Sequence, residues 1–461
     1  MSENNVIQYI QKKGHEETNI GLTIYSKKCA VSFESSFSNP NSENYFQSVS
    51  WRRKFLFWLK EIFLPQGYPH SVSPDYLHYQ IWDSLQVTYC SNLAGALSLH
   101  STLVGIGVGQ ENASPLAAAI SWLTKDGAGM ISSITFAYYK GSELDYNSKQ
   151  WRLFADIIND GAHFVRLLAP FLPFPFLLVL CCSSIMNSLV GVAGGATRAS
   201  LIQHQALCNN MADVSAKDGS QETLVNLAGL ITSLTLLPVL TSSPIITWAT
   251  FLLLVCLHVF TNFKAMRSLH MKTLNRPRLL QIFHSYVRDL SVPDVEITNE
   301  NEPLFLGPAF IQSYLTDDFK LEGGVSVNYI KENFYNEEDV FNQLILNQAS
   351  DFEQTNYMVF LNSKSSKFYI LYHETAKNED IIESFWASFL CAVNLNQRKD
   401  TLLENFKIEN YVNSSDLLIK SKKKAKESMG TLILLLQEKG WLTDPLRLNI
   451  GDWKLGGKKY V

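Results

Sequence analysis

The residues best suited to chemistry form one polar run between two apolar stretches of the chain. Within 25 positions this run contains an arginine, a histidine, two asparagines, two aspartates, a lysine and a glutamate. A guanidinium can clamp a phosphate through two parallel hydrogen bonds, and a carboxylate beside an ammonium suits a zwitterion. The run therefore predicts a site for a small anionic or zwitterionic ligand, with the candidate residues Arg198, His204, Asn209, Asn210, Asp213 and Lys217.

Helical spacing places part of this run on one face. Asp213 and Lys217 are four residues apart, and Asn209 lies on the same stripe one turn earlier. A structural interpretation explains the same residues, because Gly219 can end one helix while a neighbouring aspartate or serine caps the next. At the level of sequence both interpretations stay open.

No pattern typical of an enzyme or of a bound cofactor accompanies the run. Ten histidines and seven cysteines show no C-x-x-C or H-E-x-x-H spacing, and no G-x-S-x-G or P-loop occurs. The G-x-G-x-G at 105–109 lacks the spacing and the strand-then-helix context of a dinucleotide loop. The net charge of −4 lacks the basic excess of a nucleic-acid binder. The sequence therefore predicts no catalytic residue, no metal, no cofactor and no nucleic-acid partner.

The elements that position the polar run are apolar and nearly free of charge. Residues 84–263 contain only 16 charged side chains, seven basic and nine acidic, among 180 positions. Water-soluble helices keep a charged outer face, so a lipid bilayer is the simpler environment. The alternative is an unusually apolar soluble helical domain, since the mean hydropathy of the whole chain is −0.01. We expect about four membrane-associated helices, near 85–109, 167–193, 223–242 and 244–263, with Pro238 and Pro244 in the turn between the last two.

Three further features complete the prediction for this region. Residues 115–123 and 127–139 are apolar but are separated by Lys125 and Asp126, which favours two short re-entrant or interfacial helices. The i,i+4 ladder that begins with Arg152 and continues through two aspartates is expected on the charged face of an amphipathic helix at the membrane interface, with a partner surface as the alternative. Basic residues precede and follow the apolar region, so both flanks are expected on one side of the membrane, with an even number of crossings.

The two ends of the chain differ from its middle. Residues 1–50 have the composition of a flexible leader, with seven serines between 32 and 50. After residue 290 charge returns, β-type runs at 357–361 and 368–372 indicate a hairpin, and helices are expected over 379–394 and 415–439. The predicted fold class is mainly α, with a multi-helix membrane-embedded domain over 51–290 and a small soluble α/β domain over 291–461.

Four longer motifs, in this order, resemble the root UVB sensitive family. They are FLPQGYPHSV at 63–72, DYLHYQIWD at 75–83, GGATRA at 194–199 and ADVSAKDGSQET at 212–223. The likeness covers about residues 51–290, and the remainder is similar to the family's more variable C-terminal region. The resemblance implies a membrane protein whose domain has no established catalytic residue. It also implies links, known for plant members, to ultraviolet-B responses and vitamin B6 homeostasis.

The residues and the resemblance lead to one predicted function and one alternative. We expect an intracellular integral membrane protein, not an enzyme, that binds or transports a small anionic or zwitterionic metabolite. The vitamin B6 link, rather than any spacing, suggests a pyridoxal phosphate-type ligand. The alternative is a membrane-anchored scaffold whose C-terminal domain recruits a protein partner. Substitution of Arg198 or Asp213 should abolish ligand binding in the first case, whereas Asp213→Asn should be tolerated in the second.

Overall fold

The computed structural model describes most of the chain after residue 50 and three strands before it. These strands are β1 (Val6–Lys13), β2 (Glu16–Ile24) and β3 (Val31–Ser36), and they form an antiparallel sheet in the order β1-β2-β3. They lie in the segment that the sequence predicts to be a flexible leader. The described residues are 6–13, 16–24, 31–36, 51–86, 92–106, 114–172, 175–305, 315–316, 318–334, 352, 355–396, 404–409 and 411–456.

The chain forms two compact units, and each is described by itself. The first comprises Met1–Tyr76 and Ile202–Leu227, and the second comprises Leu77–Leu201 and Ala228–Val461. Units built from discontinuous segments cannot be located by composition alone. The domain boundaries expected from the sequence stay predictions.

The first unit has a small hydrophobic core of its own. Helix α1 (Trp51–Phe63) leads into an irregular segment at 64–75, which contains the first of the family-like motifs. Burial of this segment against two later parts of the chain fixes its path, because apolar side chains from both are removed from water together. The buried residues of this core are Val72, Tyr76, Ile202 and Val214.

Long helices occupy most of the chain between residues 76 and 268. Proline occupies the first position of two of them, where its fixed φ favours the helix and its missing N–H leaves no bond unmade. The helices are α2 (Tyr76–Leu85), α3 (Asn92–Ile106), α4 (Pro115–Lys140), α5 (Ser148–Leu168), α6 (Phe176–Gln205), α7 (Met211–Leu240) and α8 (Pro244–Ser268).

Three of these helices, α6, α7 and α8, are long and apolar enough to cross a membrane. They overlap the expected segments 167–193, 223–242 and 244–263. Only 11% of the most apolar stretch of α7 is buried, and the fraction is 22% in α6 and α8. The fourth expected segment, 85–109, lies partly outside the described residues. Helix α3 within it has 15 residues and is about 22 Å long, shorter than the roughly 30 Å hydrocarbon core of a bilayer.

Two details of the helical prediction are wrong. Residues 115–140 form one continuous helix, α4, and not two short ones. Lys125 Nζ lies 3.1 Å from Asp126 Oδ1 and 4.0 Å from the centre of the Trp122 ring, so these charges are compensated without a break in the helix. Pro238 lies inside the last turn of α7, and the connection to α8 is formed by residues 241–243. A proline this close to a helix end interrupts only one backbone hydrogen bond.

The C-terminal part combines a mixed sheet with two long helices. Its elements are β4 (Thr273–Asn275), α9 (Arg276–Asp289), α10 (Val295–Glu300), β5 (Lys320–Gly323), α11 (Val327–Asn333), β6 (Tyr357–Asn362), β7 (Lys367–His373), α12 (Asn378–Leu395), α13 (Ser414–Glu438), β8 (Leu442–Arg447) and β9 (Lys454–Leu455). Strand β7 pairs antiparallel with β6 and parallel with β5 and β9, whereas β4 pairs parallel with β8. The predicted hairpin and both predicted helices are confirmed as β6–β7, α12 and α13.

The hydrophobic core of the C-terminal part begins before residue 290. Helix α9 packs its apolar face onto α12, and the ring centres of Phe283 and Trp386 are 4.8 Å apart. Both side chains are fully buried, as are the other α9 residues on this face. Helix α9 therefore folds with the sheet and with α12 and α13. Its contributions to this core are Leu279, Ile282, Phe283, Tyr286 and Val287.

Candidate functional site

Most residues of the predicted ligand site lie in the first unit, where the irregular segment 64–75 packs beside the end of α6 and the start of α7. Gly67 has a φ of +75°, which glycine adopts without strain, and Ser71 N donates to Gly67 O at 3.2 Å. Ser73 N then donates to Gln205 O at 3.0 Å. These bonds hold the segment beside the last residues of α6.

A carboxylate–imidazole pair closes this segment. His204 Nε2 lies 2.9 Å from Asp75 Oδ2, and the hydroxyl of Ser73 donates to the other carboxylate oxygen. Because an ionised carboxylate can only accept, the Nε2–H of His204 is the donor. Asp75 is only 4% exposed, so His204 satisfies a buried acid and has a positioning role in this unit.

The beginning of α7 satisfies the end of α1. The last three carbonyls of α1, at 61–63, accept hydrogen bonds from the side chains of Lys217, Ser220 and Gln221. Such carbonyls have no partner within their own helix, and a cation near them interacts favourably with the helix dipole. Gln221 also donates to the Tyr76 hydroxyl at 3.3 Å. Burial raises the pKa of Tyr76 to about 12, although the bond from Gln221 partly opposes that change.

Two predicted ligand-binding residues are committed to backbone groups. Asp213 Oδ2 accepts a hydrogen bond from the backbone N–H of Gln66 at 2.7 Å, and Lys217 caps α1. Both lie in the first turns of α7, as the i,i+4 spacing predicts. This half of the polar run therefore serves structure, because its side chains hold segment 64–75. The helix end expected at Gly219 is wrong, since α7 continues without a break from Met211 to Leu240.

The three remaining predicted residues are placed differently. Asn209 is exposed and has a φ of +54°, in the turn before α7. Asn210 accepts the backbone N–H of Cys208 at 3.2 Å through Oδ1, whereas its Nδ2 is buried and has no hydrogen-bond partner among the described residues. Arg198 lies on α6, in the segment that belongs to the second unit.

A second polar cluster lies in the second unit, among the end of α2, α5 and α8. It brings together residues far apart in the chain, and it is surrounded by apolar helix faces. Asp160 and His258 are its most deeply buried titratable members, with 4% and 2% exposure. The cluster, called here the Asp160–His258 cluster, consists of Gln86, Arg152, Asp156, Asp160, His258 and Asn262.

Hydrogen bonds connect this cluster continuously. His258 Nδ1 lies 2.8 Å from Asp160 Oδ2, and His258 Nε2 lies 3.2 Å from Gln86 Nε2. Gln86 Nε2 also donates to Asp156 Oδ2 at 2.9 Å, and Asn262 donates to the same oxygen. The His258 ring thus contacts Asp160 directly and is connected to Asp156 through Gln86. These two carboxylates lie one turn apart on α5.

Sequence reasoning missed this cluster, although part of its signal was visible. Arg152 Nε lies 3.5 Å from Asp156 Oδ2, and Arg152 Nη2 lies 3.5 Å from Asp83 Oδ1. The charged face predicted for α5 is present, but it is not an open surface, because α8 covers it and supplies His258 and Asn262 as partners. The informative signal was a row of acids in a region that otherwise lacks charge.

A third polar cluster is completely buried and joins distant segments. Glu302 accepts bonds from Arg278 at 3.0 and 3.1 Å and from Asn275 at 2.7 Å, and Lys149 Nζ lies 3.4 Å away. Lys149 also donates to Asn299 Oδ1 at 2.7 Å. Burial alone would raise the pKa of Glu302, but Arg278, Lys149 and the hydrogen bonds lower it to about 2. This fully paired cluster, called here the Glu302 cluster, stabilises the structure.

One group of described residues has the composition of a metal site. The ligand atoms of His270, Glu296 and Glu300 all lie within 4.8 Å of one another. A mixed histidine–carboxylate set suits a divalent transition metal. Both glutamates are exposed, however, and exposed acidic groups are common without a bound ion.

Two family models match the chain. Residues 50–289 match a model described as a vitamin B6 photo-protection and homoeostasis domain, and residues 291–456 match the root UVB sensitive protein C-terminal model. The chain belongs to the root UVB sensitive family. The resemblance inferred from the four motifs is thereby confirmed.

Named members of the root UVB sensitive family align with different shares of the chain. RUS family member 1 of Dictyostelium discoideum is 43% identical over 249 residues, which are 53% of this chain and 47% of that protein. Protein root UVB sensitive 3 of Arabidopsis thaliana is 34% identical over 366 residues, 78% of this chain and 79% of that protein. Protein root UVB sensitive 2, chloroplastic, from the same plant is 29% identical over 231 residues, 50% and 52% of the two chains. No solved structure matches the chain.

The three polar clusters map differently onto the two segments of the root UVB sensitive family. The first site and the Asp160–His258 cluster lie entirely within 50–289. The Glu302 cluster takes Lys149, Asn275 and Arg278 from that segment and its two other members from 291–456. The two segments are therefore joined by a buried ionic contact.

Proposed function

We propose that this member of the root UVB sensitive family is an integral membrane protein that binds a small anionic or zwitterionic metabolite. The observation that carries the membrane part is the exposure of the long apolar helices α6, α7 and α8. Apolar surface of this extent is unusual in a water-soluble monomer, whereas the hydrocarbon of a bilayer solvates it. Helix α7 alone exposes Leu224, Leu227, Leu230, Ile231 and Leu234.

Open apolar grooves support the same proposal. A groove of about 390 Å³ is lined by side chains of α4 and α6, among them Ile131, Phe136 and Leu189. Another, of about 420 Å³, lies along α8 and is lined in part by Phe260 and Phe305. Nearly all of the lining atoms are apolar, as expected for surfaces that contact acyl chains.

The metabolite part of the proposal starts from the family. The family model that matches residues 50–289 is described as a vitamin B6 photo-protection and homoeostasis domain, so we propose a pyridoxal phosphate-type ligand. A phosphate favours guanidinium and amide N–H donors. Arg198 supplies the first kind, and the second is supplied by the buried Nδ2 of Asn210, which has no hydrogen-bond partner among the described residues. The two residues are candidate contacts to be tested separately.

Membrane extraction tests the first part. The full chain, tagged at both termini, is expressed in cells, and the membranes are washed with alkaline carbonate. We expect the chain in the pellet, whereas a co-expressed peripheral membrane protein is released. Release of the chain would contradict the proposal. Protease protection of the tags then shows whether the number of crossings is even or odd: tags on one side indicate an even number, and tags on opposite sides indicate an odd number, such as three crossings by α6, α7 and α8.

Equilibrium binding to the purified chain in lipid nanodiscs tests the second part. Pyridoxamine phosphate is the probe, because it lacks the aldehyde that reacts with surface lysines. We expect binding to be at least about tenfold weaker in Arg198→Gln or Asn210→Ala, as for loss of one charge-assisted bond. Arg288→Gln is the control, since that side chain is exposed. Absence of binding by the wild-type chain would contradict the ligand assignment.

A second candidate function is a membrane-anchored scaffold that acts through the C-terminal part. It is supported by the large hydrophobic core that α9, α12 and α13 form with the sheet. In this case Asp213→Asn leaves function unchanged, and loss of the part after residue 290 removes it. Because that deletion also removes Glu302 from its cluster, the stability of the truncated chain has to be measured in parallel.

A further inference from the structure

The Asp160–His258 cluster contains more negative charge than its own cations balance. It contains two carboxylates, Asp156 and Asp160, and one guanidinium, that of Arg152, which lies 3.5 Å from Asp156 and also 3.5 Å from Asp83 outside the cluster. When the His258 ring is neutral, this leaves one uncompensated negative charge. Carboxylates removed from water are costly unless an opposite charge or a bound proton offsets them. The cluster is therefore short of positive charge.

The same cluster is short of hydrogen-bond donors. Gln86 Oε1, Asp160 Oδ1 and Asn262 Oδ1 are buried and have no hydrogen-bond partner in the part of the chain that the structure describes. Each of these side chains is at least nine-tenths buried. Buried polar atoms are almost always hydrogen-bonded, so three such acceptors in one cluster require an explanation. A bound group that supplies both a donor and positive charge would relieve both shortages.

The bonding pattern identifies Asp160 as the acid that takes up this group. Asp156 Oδ2 accepts from Gln86 and Asn262 and lies near Arg152, and these contacts favour the ionised form. Asp160 is held by His258 alone among the bonds described. Burial raises the pKa of Asp160, and the hydrogen bond from His258 opposes this only in part.

Neighbouring titratable groups do not replace Asp160 in this role. His163, three residues further along α5, lies 2.9 Å from Ser98 Oγ and 3.0 Å from Arg166 Nη2. Burial, together with the Arg166 guanidinium, lowers the pKa of His163 to about 3, so its ring stays neutral. Helix α3 packs against both α5 and α8, and its one titratable residue, His100, is exposed.

We propose that Asp160 and His258 form a proton-binding site in which Asp160 carries one proton that exchanges with water. Binding forms an O–H bond on the Asp160 carboxylate at the expense of one in hydronium. It neutralises one of the two carboxylates and adds a donor to a cluster that contains three acceptors without a partner among the described residues. The proton site goes beyond the proposed function, and only its coupling to the movement of a metabolite rests on that function. Buried Asp and His residues act as proton relays in membrane transporters.

Infrared spectroscopy of the full chain in lipid nanodiscs tests this proposal. A protonated carboxyl has a C=O stretch distinct from that of a carboxylate, and the band shifts in D₂O if the proton exchanges. We expect the wild-type chain to keep such a band at a pH at which an ordinary aspartate is ionised, because the pKa of Asp160 is raised. Asp160→Asn should remove it, whereas Asp126→Asn, at a more exposed position on α4, should not. Identical spectra for the wild type and Asp160→Asn would overturn the proposal.

Two further variants distinguish a proton site from a merely structural one. His258→Gln removes the bond that lowers the pKa of Asp160, so the band should persist to higher pH than in the wild type. Asp156→Asn removes a like charge that raises this pKa, so the band should disappear at lower pH. A general loosening of the packing would not shift the two variants in opposite directions, and shifts in one direction would overturn the proposal. These spectra need no metabolite, so the proposed function can fail while the proton site stands.

Discussion

Glu302 is the single residue with the clearest energetic role. Its carboxylate has no exposed surface and contacts two buried cations, Arg278 and Lys149. Glu302→Gln would remove the negative charge that both cations contact, and we expect the free energy of unfolding to fall by about 3–5 kcal/mol. Denaturant unfolding at neutral pH measures this change. Glu438→Gln, at an exposed position in the same part of the chain, should alter it by less than about 0.5 kcal/mol.

The same carboxylate gives stability a defined pH dependence. The pKa of Glu302 is about 2 in the folded protein, against 4.5 for the ordinary side chain. A lowered pKa means that the unfolded chain binds the proton more tightly, so acid favours unfolding. The contribution is complete above about pH 4.5 and is lost as the pH falls through about 2. The difference in stability between wild type and Glu302→Gln should therefore shrink over this range, and a constant difference would contradict the assignment.

Single residues of the candidate sites could be predicted only where their partners are near in the sequence. The spacing of Asp213 and Lys217 correctly placed both on the first turns of one helix. Asp160 and His258 are 98 residues apart, and no local pattern indicates that their side chains meet. Ionic pairs of this kind depend on how helices pack, which hydrophobic periodicity does not specify.

At the scale of elements, the backbone that follows β5 lies very close to the backbone at Gly451. Gly324 has a φ of +67°, and a Cβ added there would lie 2.0 Å from the carbonyl oxygen of Gly451. Gly324→Ala would force two backbone segments apart, and we expect it to destabilise the C-terminal part by at least about 1–3 kcal/mol. Hydrogen exchange of the β5 and β7 amides measures this effect locally.

The matched control is Gly430→Ala in the middle of α13. An added Cβ there meets no atom within 4 Å, and alanine favours a helix by up to about 1 kcal/mol relative to glycine. We therefore expect unchanged or slightly slower exchange in this variant. Equal effects of the two substitutions would show that the contact between Gly324 and Gly451 does not restrain the sheet.

Elements with strong local patterns were predictable, and their continuity and partners were not. The hairpin β6–β7 and helices α12 and α13 follow from alternation, periodicity and a helix-stopping glycine. The charges of Lys125 and Asp126 predict a break within residues 115–140. The structure has one helix there, because Lys125, Asp126 and Trp122 compensate one another within it. Helix α9 lies within the predicted segment 51–290 and packs in the core of the C-terminal part, which sequence could not show, since an amphipathic face indicates that a partner exists but not which one.

At the scale of the whole molecule, the packing of α9 determines where the chain can be cut. A fragment 270–461 keeps α9 and β4, whereas a fragment 291–461 loses the α9 side chains that fill one side of the core. We expect the longer fragment to be monomeric and to unfold cooperatively, because its core is complete. The shorter one should expose that core and aggregate. Size-exclusion chromatography and thermal melts of both fragments measure this, and equal behaviour would show that α9 is dispensable.

The Glu302 cluster also limits how the two segments of the family can change through evolution. A neutral residue at position 149 or 278 alters the charge balance around a buried carboxylate, so a compensating change at position 302 is expected in the same lineage. Positions 149, 278 and 302 should therefore vary together among family members. A chimera that joins residues 50–289 of one member to the C-terminal segment of another should accumulate in cells only when both parents share this set of charges. Although two separate models describe these segments, we expect them to be inherited as one unit.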